Sequence, residues 1–300
     1  IQPHHAHVAA CMAENELEGE VLGVCWDGTG YGEDGAVWGG EFLRTEGTGF
    51  ARVAAMRRFR LPGGDRAVRE PRRSALGVLY EILGNAVFGE TGLAPVRAFS
   101  AAELPVLGTM LLRGIHSPWT TSAGRLFDAV ASLAGLRQRL RFEGQAAMEL
   151  EFAAEGTGAD AYPFGILDPE RPGGGPLGVD WEPLIRAVIA DVRASAPPAK
   201  ISGRFHNSLA DIIVAVARRV GAPCIALTGG CFQNKILLER AVGRLREEGF
   251  RPYWHQRIPP NDGGIALGQI AAASRSLGAG ETNDSIIGGG DHVSGGSGKD

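Results

Sequence analysis

Apolar positions recur along this chain in two rhythms, and the switch between them lays out the order of elements. Over residues 4–16, HHAHVAACMAENE, the apolar Val8, Cys11 and Met12 return at helical spacing, so the chain opens on a predicted helix. Glu20–Trp26, EVLGVCW, is a short apolar run rich in strand formers and bounded by Gly19 and Asp27-Gly28. The turn GTGYGEDG leads into AVWGGEFLR, whose alternation predicts a second strand, and FARVAAMRRFR reads as a third. Three short strands in succession with Gly turns predict an antiparallel meander at a sheet edge.

The middle of the chain reads as helical. Arg69–Leu83, Ala101–Gly114, Gly124–Leu136 and Gly144–Ala154 carry the helical period and end near Gly or Pro. Residues 156–178 are rich in Gly and Pro and read as a connector. Trp181–Ala194 and Ser202–Val220 follow as amphipathic helices. The chain then alternates: strand Cys224–Leu227, helix Phe232–Glu248, strand Arg251–Trp254, helix Gly263–Leu277. That order favours a parallel sheet with helices against it. From Gly278 onward apolar residues are few and Gly/Ser clusters recur, so residues 278–300 are expected to form a flexible Gly-rich tail. No repeat of fixed period is visible.

Composition narrows the function class. With 44% hydrophobic and 21% charged residues the balance is that of a globular chain rather than a disordered one. No apolar run approaches the ~18 residues a membrane span needs, and a formal net charge of −4 gives no case for nucleic acid as a partner. Glycine supplies 45 of 300 residues, roughly twice the usual ~7%, and falls in the short motifs GTGYG, WGG, TGG and DGG. Such motifs build backbone-lined ligand sites as well as turns. Cys11, Cys25, Cys224 and Cys231 form no C-x-x-C pair and read as buried thiols of a reducing compartment, the cytoplasm. Ile1 begins inside a dense motif, so the chain is expected to be part of something longer.

The candidate chemistry starts at Pro3-His4-His5-Ala6-His7. On a helix His4 and His7 share a face, and both imidazoles can reach one metal ion; solvated histidines near a helix cap are the plainer reading. Further ligands must then be carboxylates. Asp27 ends a hydrophobic strand and opens Asp27-Gly28-Thr29-Gly30-Tyr31-Gly32, a place where a carboxylate holds a metal or backbone N–H groups face phosphate, although an ordinary hairpin turn looks similar. Asp262, in Asn261-Asp262-Gly263-Gly264, either caps the last helix or completes a His/His/Asp/Asp set suited to Fe(II), Mn or Zn. Thr228-Gly229-Gly230-Cys231-Phe232-Gln233-Asn234 follows a strand and opens a helix. Its glycines admit a close ligand, the helix start favours an anion, and Asn234 can hydrogen-bond a sugar or base edge. Arg57, Arg58, Arg60, Arg66, Arg69, Arg72 and Arg73 either bind a phosphate or an acidic partner surface, or are solvated and paired. No G-x-S-x-G turn is present, and no cysteine has an electropositive setting.

These pieces stand together in one order. QPHHAHVAACMAEN, GVCWDGTGYGEDGAVWGGEFL, SPWTTSAGRLFDAVASLAG, FEGQAAMELE, FHNSLADII, LTGGCFQN and NDGGIALGQ span residues 2 to about 272, and over them the chain resembles the carbamoyl-transfer domain of the HypF family of hydrogenase maturation proteins. The resemblance implies an α/β fold of the actin/Hsp70/sugar-kinase type, built of ribonuclease-H-like lobes with the first lobe incomplete. It divides the chain into a carbamoyl-transfer domain at 1–277 (1–60 as the remainder of the first lobe, 61–277 as a helical insert and second lobe) and the tail at 278–300. It also implies the activity: a carbamoyl group passes from carbamoyl-adenylate, made from carbamoyl phosphate and ATP in upstream domains, to the C-terminal cysteine thiol of HypE. Antibiotic O-carbamoyltransferases and non-catalytic docking modules are the alternatives within reach, with a sugar-kinase-like phosphotransferase more remote.

By motif, the resemblance makes His7, Asp27 and Asp262 the catalytic, metal-binding set for a divalent Fe or Zn ion. Gly229, Gly230 and Asn234 match the adenylate-binding turn, Gly28 and Gly30 the loop near the acyl-phosphate, and Gly124 and Asp128 a nucleotide-facing helix start. The family's first ligand histidine falls where this chain has Pro3. Proline binds no metal, so either His4 takes that place or the site is weaker. The early strands of the first lobe are also lacking before Ile1, so apolar strand edges and low activity of the isolated chain are expected.

Overall fold

The computed structural model describes residues 1–154, 158–169 and 174–284. The chain opens with α1 (Pro3–Glu14), then β1 (Leu22–Tyr31), β2 (Val37–Glu46), β3 (Gly49–Met56) and the short β4 (Phe59–Arg60). A largely helical stretch follows: α2 (Asp65–Arg69), α3 (Pro71–Leu83), α4 (Ala94–Arg97), α5 (Glu103–Arg113), the short β5 (Trp119–Thr120), α6 (Ala123–Leu133) and α7 (Gln145–Ala153). Next come β6 (Gly165–Leu167), β7 (Leu177–Asp180), α8 (Glu182–Arg193) and α9 (Pro198–Val220). The chain ends with β8 (Cys224–Thr228), α10 (Lys235–Glu247), β9 (Arg251–Trp254) and α11 (Ile265–Asp284).

One sheet runs in the order β6-β7-β3-β2-β1-β8-β9, with β5 and β4 branching from β2. β1, β2 and β3 are antiparallel neighbours, while β8 pairs parallel with β1, β9 with β8, and β7 with β3. The predicted meander is therefore real but central, not at an edge. Its first strand carried the signal: Leu22 to Trp26 are all buried, and a strand apolar on both faces belongs in the middle of a covered sheet. The meander also shares its sheet with β8 and β9, so one sheet runs across the expected boundary at residue 60.

Three further expectations change. β1 continues to Tyr31 across an irregularity between Trp26 and Gly30, so Asp27-Gly28 lies within a bulged strand. The reversal comes later, where the Gly32 N–H donates to the Ala36 carbonyl. The connector at 156–178 contains β6 and the start of β7, which pair with each other and extend the sheet past β3. The tail expected from Gly278 begins as helix, since α11 runs to Asp284; residues 285–300 lie outside the described residues. Among the described residues no helix is long and apolar enough to cross a membrane.

Side chains of β1 alternate between two cores. Leu22, Val24 and Trp26 enter the large core with Phe42, Phe127 and Phe205, under α3, α6 and α9. Cys25, with Val21 just before β1, enters a smaller core with Val8, Cys11 and Met12 of α1. Continuing that period of two, Asp27 falls on the face that carries α1.

α1 is held close. A Cβ on Gly23 would overlap the Val8 side chain, and one on Gly268 of α11 would overlap the Ala6 carbonyl. Both glycines are therefore needed for backbone approach. Gly268→Ala is expected to cost about 2–3 kcal/mol, because the clash is with backbone that no rotamer change relieves. Thermal melting of the variant checks this, and an unchanged midpoint would show that α1 and α11 separate freely.

Candidate functional site

α1 begins where its sequence says it should. Pro3 occupies the first helical position, and the Gln2 side chain accepts the His5 N–H at 2.8 Å, which caps the helix. One turn in, buried His7 points its Nε2 at Asp27 Oδ2, 3.3 Å away, and at Asp262 Oδ1, 3.8 Å away. Asp262 lies in the short 3-10 turn that precedes α11. Asn261 does the capping there, accepting the Gly263 N–H, so the Asp262 carboxylate stays 88% exposed and available. One ligand atom from each of His7, Asp27 and Asp262 lies within 4.8 Å of the other two. An imidazole nitrogen with two carboxylate oxygens is a donor set for a divalent transition metal.

Burial pushes the Asp27 carboxyl toward its neutral form. The His7 hydrogen bond and charge, with the N–H groups of Gly28 and Gly230, outweigh that and hold its pKa below the ordinary value. Asp27 is therefore an anion at neutral pH, set to face a cation.

The structure does not bring His4 into this set. Its Nδ1 lies 3.1 Å from Gln2 Nε2, and its ring fills the space that a Gly30 side chain would need. Gly30 thus makes room for an imidazole and does not line the cavity described below. Burial depresses the His4 pKa to about 4, and its buried Nε2 has no hydrogen-bond partner.

Beside the His7–Asp27–Asp262 cluster opens a cavity of about 540 Å³, whose wall includes Gly28, Gly124, Asp128, Gly230 and Asn234 as well as Asp27 and Asp262. The glycines bring three segments together. A Cβ on Gly124 would sit 2.7 Å from the Gly28 Cα, and one on Gly230 would sit 2.9 Å from Asp27 Oδ1. Gly229 plays another part: at φ +94° its N–H donates to the Pro260 carbonyl, and it packs on the Trp26 backbone away from the cavity.

Asn234 touches the cavity, but its amide is already engaged. Oδ1 caps α10 by accepting the Leu237 N–H at 2.9 Å, and Nδ2 donates to His206 Nε2 at 2.9 Å. The His206 Nδ1 lies 2.8 Å from the Ser202 carbonyl, so this ring carries its proton on Nδ1 and accepts at Nε2. Asn234 thereby fixes the start of α10 and the His206 ring beside the cavity. Asp128 is buried, and burial raises its pKa to about 6, an effect that Arg125 opposes and Glu143 adds to.

Arg125, 4% exposed on the cavity wall, has no sequence signal of its own, since an arginine is normally a surface residue. Nor has His255, whose Nδ1 pairs with Glu14 at 2.9 Å and whose Nε2 meets Thr228 Oγ1 at 2.9 Å. No local motif links partners 241 residues apart. The arginines of 57–73, by contrast, are mostly engaged. Arg57 binds Asp180 and Glu182, Arg72 and Arg73 bind Glu70, and Arg58 and Arg60 lie over Trp119. All four cysteines are free. Burial raises the thiol pKa of Cys11 to about 12 and those of Cys25 and of Cys231, on the cavity wall, well above the ordinary value.

Acid should loosen this arrangement through His206. Its pKa falls from 6.5 to about 4 because burial disfavours the charged ring. Between those values the unfolded chain binds the proton and the folded chain does not, so stability falls as pH drops below 6.5 and is complete above it. At pH 5 the loss is on the order of 2 kcal/mol. Denaturant titrations at pH 7 and pH 5 should show a smaller acid penalty in His206→Gln than in the parent chain; equal penalties would rule this residue out as the cause.

Residues 23–269 match the family described as "Carbamoyltransferase, Kae1-like Domain, second subdomain", a span that takes in the meander from β1 to β3. The chain is 39% identical over 287 residues to "Carbamoyltransferase HypF" of Synechocystis sp., and 41% identical over 285 residues to "Carbamoyltransferase HypF" of Rhodobacter capsulatus. These alignments cover 91% and 92% of this chain but 36% of each relative, so the chain spans about a third of their length. Among solved structures it is similar to full-length HypF in the phosphate- and nucleotide-bound form, with a TM-score of 0.84 and 37% identity over 92% of this chain and 43% of the other. The fold is thus of the actin/Hsp70-like, ribonuclease-H-like class. Sequence match and architecture agree, and this chain belongs to the Kae1-like carbamoyltransferase domain family of the HypF proteins.

Proposed function

We propose that this chain is the domain in which a carbamoyl group moves from carbamoyl-adenylate to the C-terminal cysteine thiol of HypE during hydrogenase maturation. One observation carries the reading: His7, Asp27 and Asp262 converge at the edge of a cavity walled by the closely packed backbones of Gly28, Gly124 and Gly230. A cation site beside a backbone-lined cavity suits a ligand with a polar carbonyl at one end and a phosphate at the other. The phosphate- and nucleotide-bound state of the related HypF structure supports the same reading.

His7, Asp27 and Asp262 would hold a divalent Fe or Zn ion, which when bound supplies Lewis-acid polarisation of the carbamoyl carbonyl. Backbone N–H groups near Gly28 and the start of α6 hold the phosphate. The acceptor sulfur attacks the carbamoyl carbon, the bond from that carbon to the phosphate oxygen breaks, AMP leaves, and the thiol proton passes to solvent. The nucleophile comes from the acceptor protein: burial keeps Cys231, the thiol on the cavity wall, protonated and weakly reactive. Carbamoyl phosphate and ATP are consumed upstream to make the adenylate, and the protonated cysteines fit a cytoplasmic setting. Neither nucleic acid nor membrane enters the scheme.

Incubation of the chain with carbamoyl-adenylate and HypE tests the proposal. The expected product is HypE heavier by one carbamoyl group on its terminal cysteine. Labelling of an aminoglycoside instead would transfer the assignment to small-molecule carbamoylation, and no transfer with no stoichiometric metal would leave only a docking role. Asp27→Asn and His7→Ala should each weaken Zn²⁺ binding, measured by calorimetry, by more than the roughly 10–100-fold typical of outer-shell changes.

A further inference from the structure

β2 buries a carboxylate that plays no part in the transfer chemistry. Glu41 is fully buried and ends the motif Trp38-Gly39-Gly40-Glu41. Its Oε2 accepts the Arg52 Nε–H at 2.6 Å, and Arg52 in turn donates to Asp34 at 3.0 Å and lies over the Trp38 ring. Its Oε1 accepts the Gly39 and Gly40 N–H groups at 3.3 and 3.4 Å and the Thr121 hydroxyl. A buried ion pair is weak ground for stability, since desolvation offsets the attraction; what this one fixes is geometry.

That geometry belongs to Asp27. Between the pairs Trp26–Gly40 and Gly30–Trp38, the three residues Asp27 to Thr29 of β1 oppose the single Gly39 of β2. Such a bulge takes its backbone out of the ladder, so its carbonyls need donors from elsewhere. Ser122 supplies one: its buried hydroxyl reaches the Asp27 carbonyl at 2.7 Å and the Gly28 carbonyl at 2.8 Å. Gly39 packs on the same place, where a Cβ would sit 2.5 Å from the Asp27 carbonyl oxygen and 3.1 Å from the Ser122 Cα. Glu41 holds both contacts, Gly39 through its N–H and Ser122 through the adjoining Thr121 hydroxyl.

We propose that Glu41, acting through Thr121, Ser122 and Gly39, is a positioning residue that clamps the Asp27 backbone and so aims the Asp27 carboxylate at the cation position. The proposal rests on the cation-site reading of His7, Asp27 and Asp262 for the ligand, while the clamp itself stands on the bulge and its donors.

Three measurements on the intact chain test this: Zn²⁺ affinity by calorimetry, the Co²⁺ absorption spectrum, and amide exchange of Gly230. The Gly230 N–H donates to the Asp27 carboxylate, and its exchange is read against the core amides of β8. Thr121→Val and Ser122→Ala each remove one hydroxyl of the path, and Glu41→Gln removes the charge at its root. In variants that still melt cooperatively, Zn²⁺ affinity should fall by about 10–100-fold, the effect typical of outer-shell partners. The Co²⁺ bands should shift, and Gly230 exchange should quicken in the metal-free chain. Ser122→Thr, which keeps the hydroxyl, should restore all three. A role in stability alone would lower the melting midpoint and leave affinity, bands and Gly230 exchange at parent values, and that outcome overturns the proposal. A parent chain that binds neither ion would remove the cation-site reading. Quickened Gly230 exchange in Ser122→Ala would then still establish the clamp on Asp27, and unchanged exchange would overturn it.

Discussion

The approach of α1 to the sheet and to α11 is the constraint on which the site depends. α1 lies near enough that Gly23 and Gly268 cannot carry a side chain, and Thr228 Oγ1 lies 3.2 Å from the His7 carbonyl. The period of two along β1 then sends Asp27 to the same face, and the turn before α11 brings Asp262 alongside. Three side chains from the two ends of the described chain meet because backbones pack where ordinary side chains would hold them apart.

Behind this meeting point the polar groups are largely bound to one another. Glu14 accepts N–H groups from Gln256 and Ile258 and pairs with His255, which meets Thr228 in turn. The result ties the end of α1 to the loop after β9. On the far side of the cavity, His206 fixes the Asn234 amide, and Asn234 fixes the start of α10. A site shared by separate elements needs such locks, since an error of about an ångström at any donor spoils a common target.

The cavity inverts the usual economy of a protein interior. Carboxylates line it, and the Arg125 guanidinium lies buried on its wall with Nε and Nη1 lacking a hydrogen-bond partner. Buried carboxylates beside a buried guanidinium make this wall costly to desolvate. Stability and function therefore pull against each other here, and the packed aromatic core around Trp26, Phe127 and Phe205 supplies the rigidity that lets the cavity stay open.

Much was legible in the sequence. α1, the three strands of the meander and the alternation at the C-terminal end follow from local period, and His7, Asp27 and Asp262 stand out as candidates in short motifs, because those signals depend on neighbours a few positions away. What only the tertiary structure decided depends on partners far apart in the chain. The central place of β1 rests on pairing with β8, the use of the 156–178 stretch as sheet rests on β3, and the place of the His4 ring rests on its fit against Gly30. The engagement of the Asn234 amide was hidden because His206 is 28 residues away, and the burial of Arg125 left no local signal because distant elements produce it. Sequence spacing specifies which way a side chain points on its own element; which groups face each other across a cavity is settled by how the elements pack.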